Sequence, residues 1–134
     1  MAISERRMTA EEYFKLPETN TPMQLIDGEL IMAPAPIPPH QRLVRRIYDY
    51  INPLFTNGEI WFSPTDLYLD EFNITQPDLL WVAPDGRCIE TDTGLHGAPD
   101  WVLEVLSPGT AKHDRSKKYR LYEKHGVREY WIAD

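Results

Sequence analysis

The segment WVLEVLS at residues 101–107 constrains this chain more than any other, because it sets a carboxylate inside an otherwise apolar strand. Strand alternation puts Val102, Glu104 and Leu106 on one face and Trp101, Leu103 and Val105 on the other. An unpaired Glu104 would be costly to bury, so the strand needs either a partner for that charge or access to water. A buried ion pair or an edge strand would each satisfy it. Asp78 poses the same question, since Pro77 extends the backbone before it and the apolar run LLWV follows directly.

Two such acids on strands expected to be neighbours point to a third reading, a divalent cation site. Magnesium takes one or two protein carboxylates and keeps several waters, and a backbone carbonyl such as that of Val105 could add a ligand. Asp100, in a second Pro-Asp pair, lies four residues before Glu104, roughly 13 Å along an extended strand. It reads as a strand-entry or turn residue.

A helix is expected from Asp114 to Lys124, stopping at Gly126. Asp114, Lys118 and Tyr122 are spaced i, i+4, i+8 and lie close to one face of it. That spacing fits an ordinary surface Asp–Lys pair beside an aromatic ring. It also fits a lysine aimed at the acids, because the connector SPGTAKH is short enough for the helix to fold back over the sheet. A lysine there would orient a water or stabilise phosphate charge.

The rest of the chain reads as one mixed α/β (α+β) domain spanning residues 1–134. Thr9-Ala10-Glu11-Glu12 has capping-box spacing, so a short helix opens there and ends before Pro17. Asp27-Gly28 between two apolar runs predicts a hairpin. APAPIPPH at 33–40 is an extended connector, and apolar periodicity predicts a helix from Pro39 to Phe55. EIWFS, DLYLD, LLWV, WVLEVLS and EYWIAD read as strands. The chain stops after the last of these, leaving that strand uncovered and making the chain read as shortened at its C-terminus, or covered by a partner.

The single cysteine, Cys88, and four scattered histidines leave no disulfide and no zinc motif. No apolar run approaches the roughly 20 residues needed to cross a bilayer, and the N-terminus lacks a signal-peptide centre, so a cytoplasmic protein is expected. The net charge of −7 argues against a nucleic-acid partner, but its distribution is uneven. Between Val105 and Lys124 six cations face two anions, giving +4 and leaving −11 for the remainder. Arg42, Arg45 and Arg46 form a second basic group. Either group could be no more than a solvated helix face.

The ordered set LIDGEL, QPDLLWV, GAPDWVLEVLSPGT, the spaced Asp114-Lys118-Tyr122 and GVREYWIAD resembles the Uma-two-type family of the PD-(D/E)XK superfamily. The resemblance covers nearly the whole chain, from Thr9 to Asp134. It implies a restriction-endonuclease-like core, a mixed β-sheet flanked by helices. Asp78 matches the PD aspartate and Glu104 the acidic residue of the second element. Leu106 stands where that element normally carries lysine, and Lys118 matches the family's replacement on the next helix. Glu29 matches a recurrent acid that would approach the metal, while Gln76, Ser107, Asp114 and Tyr122 match positions expected to surround the site. Family members commonly continue through further strands beyond the point where this sequence stops.

The resemblance thus implies a Mg²⁺- or Mn²⁺-dependent endonuclease acting on DNA, with Asp78, Glu104 and Lys118 catalytic. Asp78, Glu104 and the Val105 carbonyl would hold metal, and Lys112, Arg115, Lys117 and Arg120 would contact flanking phosphates. Double-strand cutting would call for two sites and hence a homodimer, although no residue demands one. The net acidity and Leu106 favour a rival, a catalytically inactive module that keeps the fold and binds nucleic acid or protein. A small-nucleotide phosphodiesterase is a third class, disfavoured by the absence of a Gly-rich phosphate loop or His-rich metal motif.

Overall fold

In the computed structural model the described residues are 6–106 and 111–134, with 111–114 described by backbone alone. Ser107 and the side chains of Lys112 and Asp114, all expected near the site, lie outside the described residues.

Helix α1 (Ala10–Phe14) starts where the capping box predicts. Thr9 Oγ1 accepts the Glu12 N–H and the Glu12 carboxylate accepts the Thr9 N–H, each at 3.2 Å. Strands β1 (Met23–Ile26) and β2 (Glu29–Met32) form the expected hairpin. Its two turn residues, Asp27 and Gly28, have φ of 51° and 78°, the backbone that a two-residue turn between twisted strands needs. Helix α2 (Pro38–Ile51) opens one residue earlier than expected, on a proline at its first turn, and closes four residues sooner. His40, Val44, Ile47 and Ile51 form its inward stripe, and Phe55 continues the packing from the turn beyond.

Three short strands carry no alternation that would mark them in the sequence: β5 (Asn73–Thr75), β7 (Ile89–Thr91) and β8 (Gly94–His96). With β3 (Glu59–Phe62), β4 (Leu67–Asp70), β6 (Leu79–Val82), β9 (Trp101–Val105) and β10 (Glu129–Ala133) they form two sheets rather than one. The six-stranded sheet has the order β2-β1-β5-β4-β8-β7, and the four-stranded sheet β10-β9-β6-β3. Both are mixed, through the parallel pairs β4–β8 and β9–β10. Helix α3 (Ala111–His125) begins three residues before the expected Asp114 and gives way at Gly126, whose φ is 85°.

Strand β9, inside the four-stranded sheet, is buried on both faces along its whole length. Leu79, Trp101, Leu103 and Val105 pack against Val44 and Ile51 of α2. Leu80 and Val102 face the other way, toward Leu121 and Tyr122 of α3 and Leu67 and Leu69 of the six-stranded sheet. Glu104 belongs to that second face, so its carboxylate points into the space between the sheets and α3. The alternation read from WVLEVLS is the one observed.

Candidate active site

Strands β6 and β9 run antiparallel with Leu79 opposite Leu103 and Leu80 opposite Val102. One further step in the same register sets Asp78 opposite Glu104, and directly opposed residues share a face of the sheet. The two acids therefore stand side by side where the strands end. Asp78 Oδ2 accepts the Val105 N–H at 2.7 Å, which ties the aspartate to the neighbouring strand. Val105, expected to take part through its carbonyl, is engaged here through its N–H.

Glu104 is 7% exposed and held by three donors among the described residues. Lys118 Nζ lies 2.9 Å from Oε1, and the lysine is itself 8% exposed. The Tyr122 hydroxyl stands 3.0 Å from both Oε1 and Thr75 Oγ1. Its one hydrogen serves the carboxylate, and the threonine hydroxyl can turn to donate back. Tyr130, on the same face of β10, donates to Oε2 at 2.9 Å. The buried charge is thus paired and solvated by protein, which answers the cost that its position in an apolar strand raises. Burial, together with the adjacent Glu104 charge, pushes the Tyr122 phenol well above its ordinary range, so it stays a donor.

Lys118 and Tyr122 reach Glu104 together because their i, i+4 spacing puts them on the inward face of α3. The lysine that reaches Glu104 comes from this helix. Leu106 itself lines the cleft.

His40 was not singled out by the sequence, and it belongs to the same place. It is 9% exposed, in the first turn of α2, with Nε2 3.4 Å from Asp78 Oδ2. The signal was present: His40 lies four residues before Val44 on the buried stripe. Tyr130 and Thr75 were also missed, because only the register of β10 and the approach of the second sheet bring them to Glu104.

These groups line a cleft of about 160 Å³ shared by His40, Gln76, Asp78, Glu104, Val105 and Lys118. It adjoins a wider groove of about 540 Å³ that also reaches Gln76 and Asp78. Gln76 donates from Nε2 to Asp66 Oδ1 at 2.9 Å and from its backbone N–H to Gln24 Oε1 at 3.1 Å. Its Oε1 is buried with no protein partner among the described residues. Glu29 is a correction. It is exposed at the turn end of the hairpin, whereas the cleft is lined by Met23, Gln24 and Met32 at the other end. At ~3.3 Å per residue the hairpin holds Glu29 too far from the acids to share an ion with them. Asp100 takes the structural role expected of it, accepting the Ala83 N–H at 2.8 Å at the far end of β9. Arg115, Lys117 and Arg120 lie on exposed positions of α3.

Burial raises the Asp78 carboxyl above its ordinary 3.8; the Val105 N–H, His40 and Lys118 oppose that shift, while Glu104 adds to it. A cation would relieve the like charge between the two acids. Among the described residues Asp78 Oδ1 makes no hydrogen bond, and Glu104 Oε2 accepts only one. Each acid therefore keeps a lone pair for an ion, which fits magnesium's habit of using one or two carboxylates plus waters. Among the described residues no group of three or more His, Cys, Asp or Glu side chains is placed to hold a metal ion. Two carboxylates alone would leave most of such an ion's shell to water.

Residues 10–134 match the Uma2 family, described as "Putative restriction endonuclease". The chain belongs to this family. Among solved structures it resembles a "putative nuclease belonging to DUF820" from Anabaena variabilis ATCC 29413, at 25% identity and a TM-score of 0.78. That similarity covers 93% of this chain and 73% of the other. No curated protein matches it. The fold is accordingly restriction-endonuclease-like, and the family is one of nucleases. No helix among the described residues is long and apolar enough to cross a membrane.

Proposed function

We propose that the cleft is the active site of a Mg²⁺- or Mn²⁺-dependent endonuclease that hydrolyses phosphodiester bonds of DNA. The observation that carries this reading is the juxtaposition of Asp78 and Glu104 across β6 and β9, with Lys118 Nζ on the same carboxylate. Membership of the family supports the reaction class. A divalent ion shared by the two acids would neutralise the scissile phosphate and lower the pKa of a water. Asp78, fixed by the Val105 N–H, presents its other oxygen to the cleft. Glu104, fixed by two phenols and an ammonium, holds the second oxygen position without needing to reorganise. Among the described residues Lys118 is the cation paired with Glu104, and it would orient the attacking water or the phosphate charge as it develops. The exposed Arg115, Lys117 and Arg120 would contact flanking phosphates, and two copies of the site in a homodimer would allow cutting of both strands.

The rival reading, a binding module that keeps the fold without activity, draws on Glu104: one ammonium and two phenols suffice to stabilise it with no ion at all. Nicking of supercoiled plasmid in Mg²⁺ separates the two. The expected result is cleavage by the wild type and its loss, by roughly 100-fold or more, in Glu104→Ala and Lys118→Ala. Equal cleavage by all three proteins would remove the site from the reaction, and no cleavage together with no heat of Mg²⁺ or Mn²⁺ binding would favour the module. Single-stranded DNA, RNA and cyclic nucleotides in the same assay define the substrate.

A further inference from the structure

We propose that β10 is a dimerisation edge, pairing antiparallel with the same strand of a second copy of this chain so that two four-stranded sheets join into one. The inference gives a surface to the homodimer named above and uses none of the metal chemistry. Among the described residues β10 is an outer strand, with β9 on its inner side. The Glu129 N–H donates to the Asp100 carbonyl and the Ala133 carbonyl accepts the Leu106 N–H, so these residues turn their backbone groups inward. The alternate residue Ile132 turns its own outward. Outer strands are ordinarily guarded by proline, lysine or a bulge. The run EYWIA carries neither residue and pairs with β9 in unbroken register. It leaves Trp131 and Ile132 43% and 39% exposed. Beside it Arg46, Ile47 and Tyr50 of α2 line a hollow of about 430 Å³ together with Trp131, Ile132 and Ala133.

Charge selects both the occupant and the register. A two-fold axis requires a patch that complements itself. With Trp131 on that axis, the two indoles meet as a directly opposed aromatic pair. Arg128, one residue before the strand, then stands opposite the partner's Asp134, one residue after it, and symmetry makes this contact twice. Both side chains are exposed. Glu129 comes opposite the partner's Ala133, on the face that packs toward α2. That carries its carboxylate to the hollow where the partner's Arg46 lies. A slip of two residues, the smallest that keeps each face in place, loses the Arg128 to Asp134 contact in either direction.

Sedimentation velocity of the full chain over a wide range of concentration tests this without reference to activity. The expected result is a reversible dimer that Arg128→Glu and Asp134→Arg each weaken by about 10-fold or more, since both place like charges opposite one another. The double variant, with the charges exchanged, should dimerise as the wild type does. Ile132→Pro removes an outward N–H at an edge where proline is tolerated, and should give a folded monomer by circular dichroism. A wild type that stays monomeric throughout would overturn the proposal. So would a dimer indifferent to Ile132→Pro and to both charge reversals, or a double variant that stays as weak as the single ones. Each of these failures leaves the plasmid-nicking test of the cleft as it stands, so the two readings can fail separately.

Discussion

Glu104 and Lys118 are each less than a tenth exposed and 2.9 Å apart, so removing one strands the other. Glu104→Gln or Lys118→Met should each cost about 3–5 kcal/mol in denaturant unfolding. The double variant should cost less than the two single costs combined, because neither charge is then left alone; additive costs would show that the pair is not coupled. At this scale the sequence was legible where local periodicity decides the outcome. Glu104 had to point away from Trp101 and Leu103, and Lys118 and Tyr122 had to share a helix face. It was silent where register decides, since nothing local says that Asp78 comes to rest opposite Glu104 or that Tyr130 reaches the same carboxylate. His40 lay between these cases, readable as the first member of the α2 stripe but masked by the proline-rich connector before it.

Among the elements, the short helix α1 depends on its cap. Thr9→Ala should lower stability by about 1 kcal/mol in chemical denaturation, and no change would mean that packing alone holds this turn. The last turn of α3 is tied to β4 by His125 Nε2 and Asp70 Oδ2 at 2.8 Å. Burial alone would raise the Asp70 carboxyl, but hydrogen bonds from Asn73, the Phe72 N–H and His125 outweigh it and lower the pKa below the ordinary 3.8. A depressed carboxyl stabilises the fold above its unfolded pKa, and that contribution disappears as pH falls from about 3.8 through the lower folded value. Unfolding measured against pH should therefore show an acid limb in that window, and Asp70→Asn should flatten it. An identical limb in the variant would assign it to other carboxylates. The hairpin, helices and long strands were visible as elements, whereas β5, β7 and β8 were not. Those three strands have three residues each and owe their existence to pairing across the sheet. The division into two sheets was equally hidden, because β3 and β4 are separated by only Ser63–Asp66 yet pair with different partners.

For the whole molecule the decisive tension is between a net charge of −7 and a polyanionic substrate. If the exposed α3 strip meets the DNA backbone, binding should weaken as salt rises, and Lys117→Glu with Arg120→Glu should lower affinity across all DNA sequences. The slope of log affinity against log salt should shrink by about one for each phosphate that is no longer neutralised. An unchanged slope in that variant would move the DNA to another face, the Arg42, Arg45 and Arg46 group of α2 being the next surface to mutate. All of this depends on the cleft binding a cation between its two acids. A crystal of the protein soaked in Mn²⁺ and measured for anomalous scattering tests that most directly. The expected result is an anomalous peak within about 2.3 Å of one oxygen each from Asp78 and Glu104, with waters completing the shell. A well-ordered cleft with Lys118, Tyr122 and Tyr130 still closed on Glu104 and no peak beside Asp78 would contradict it.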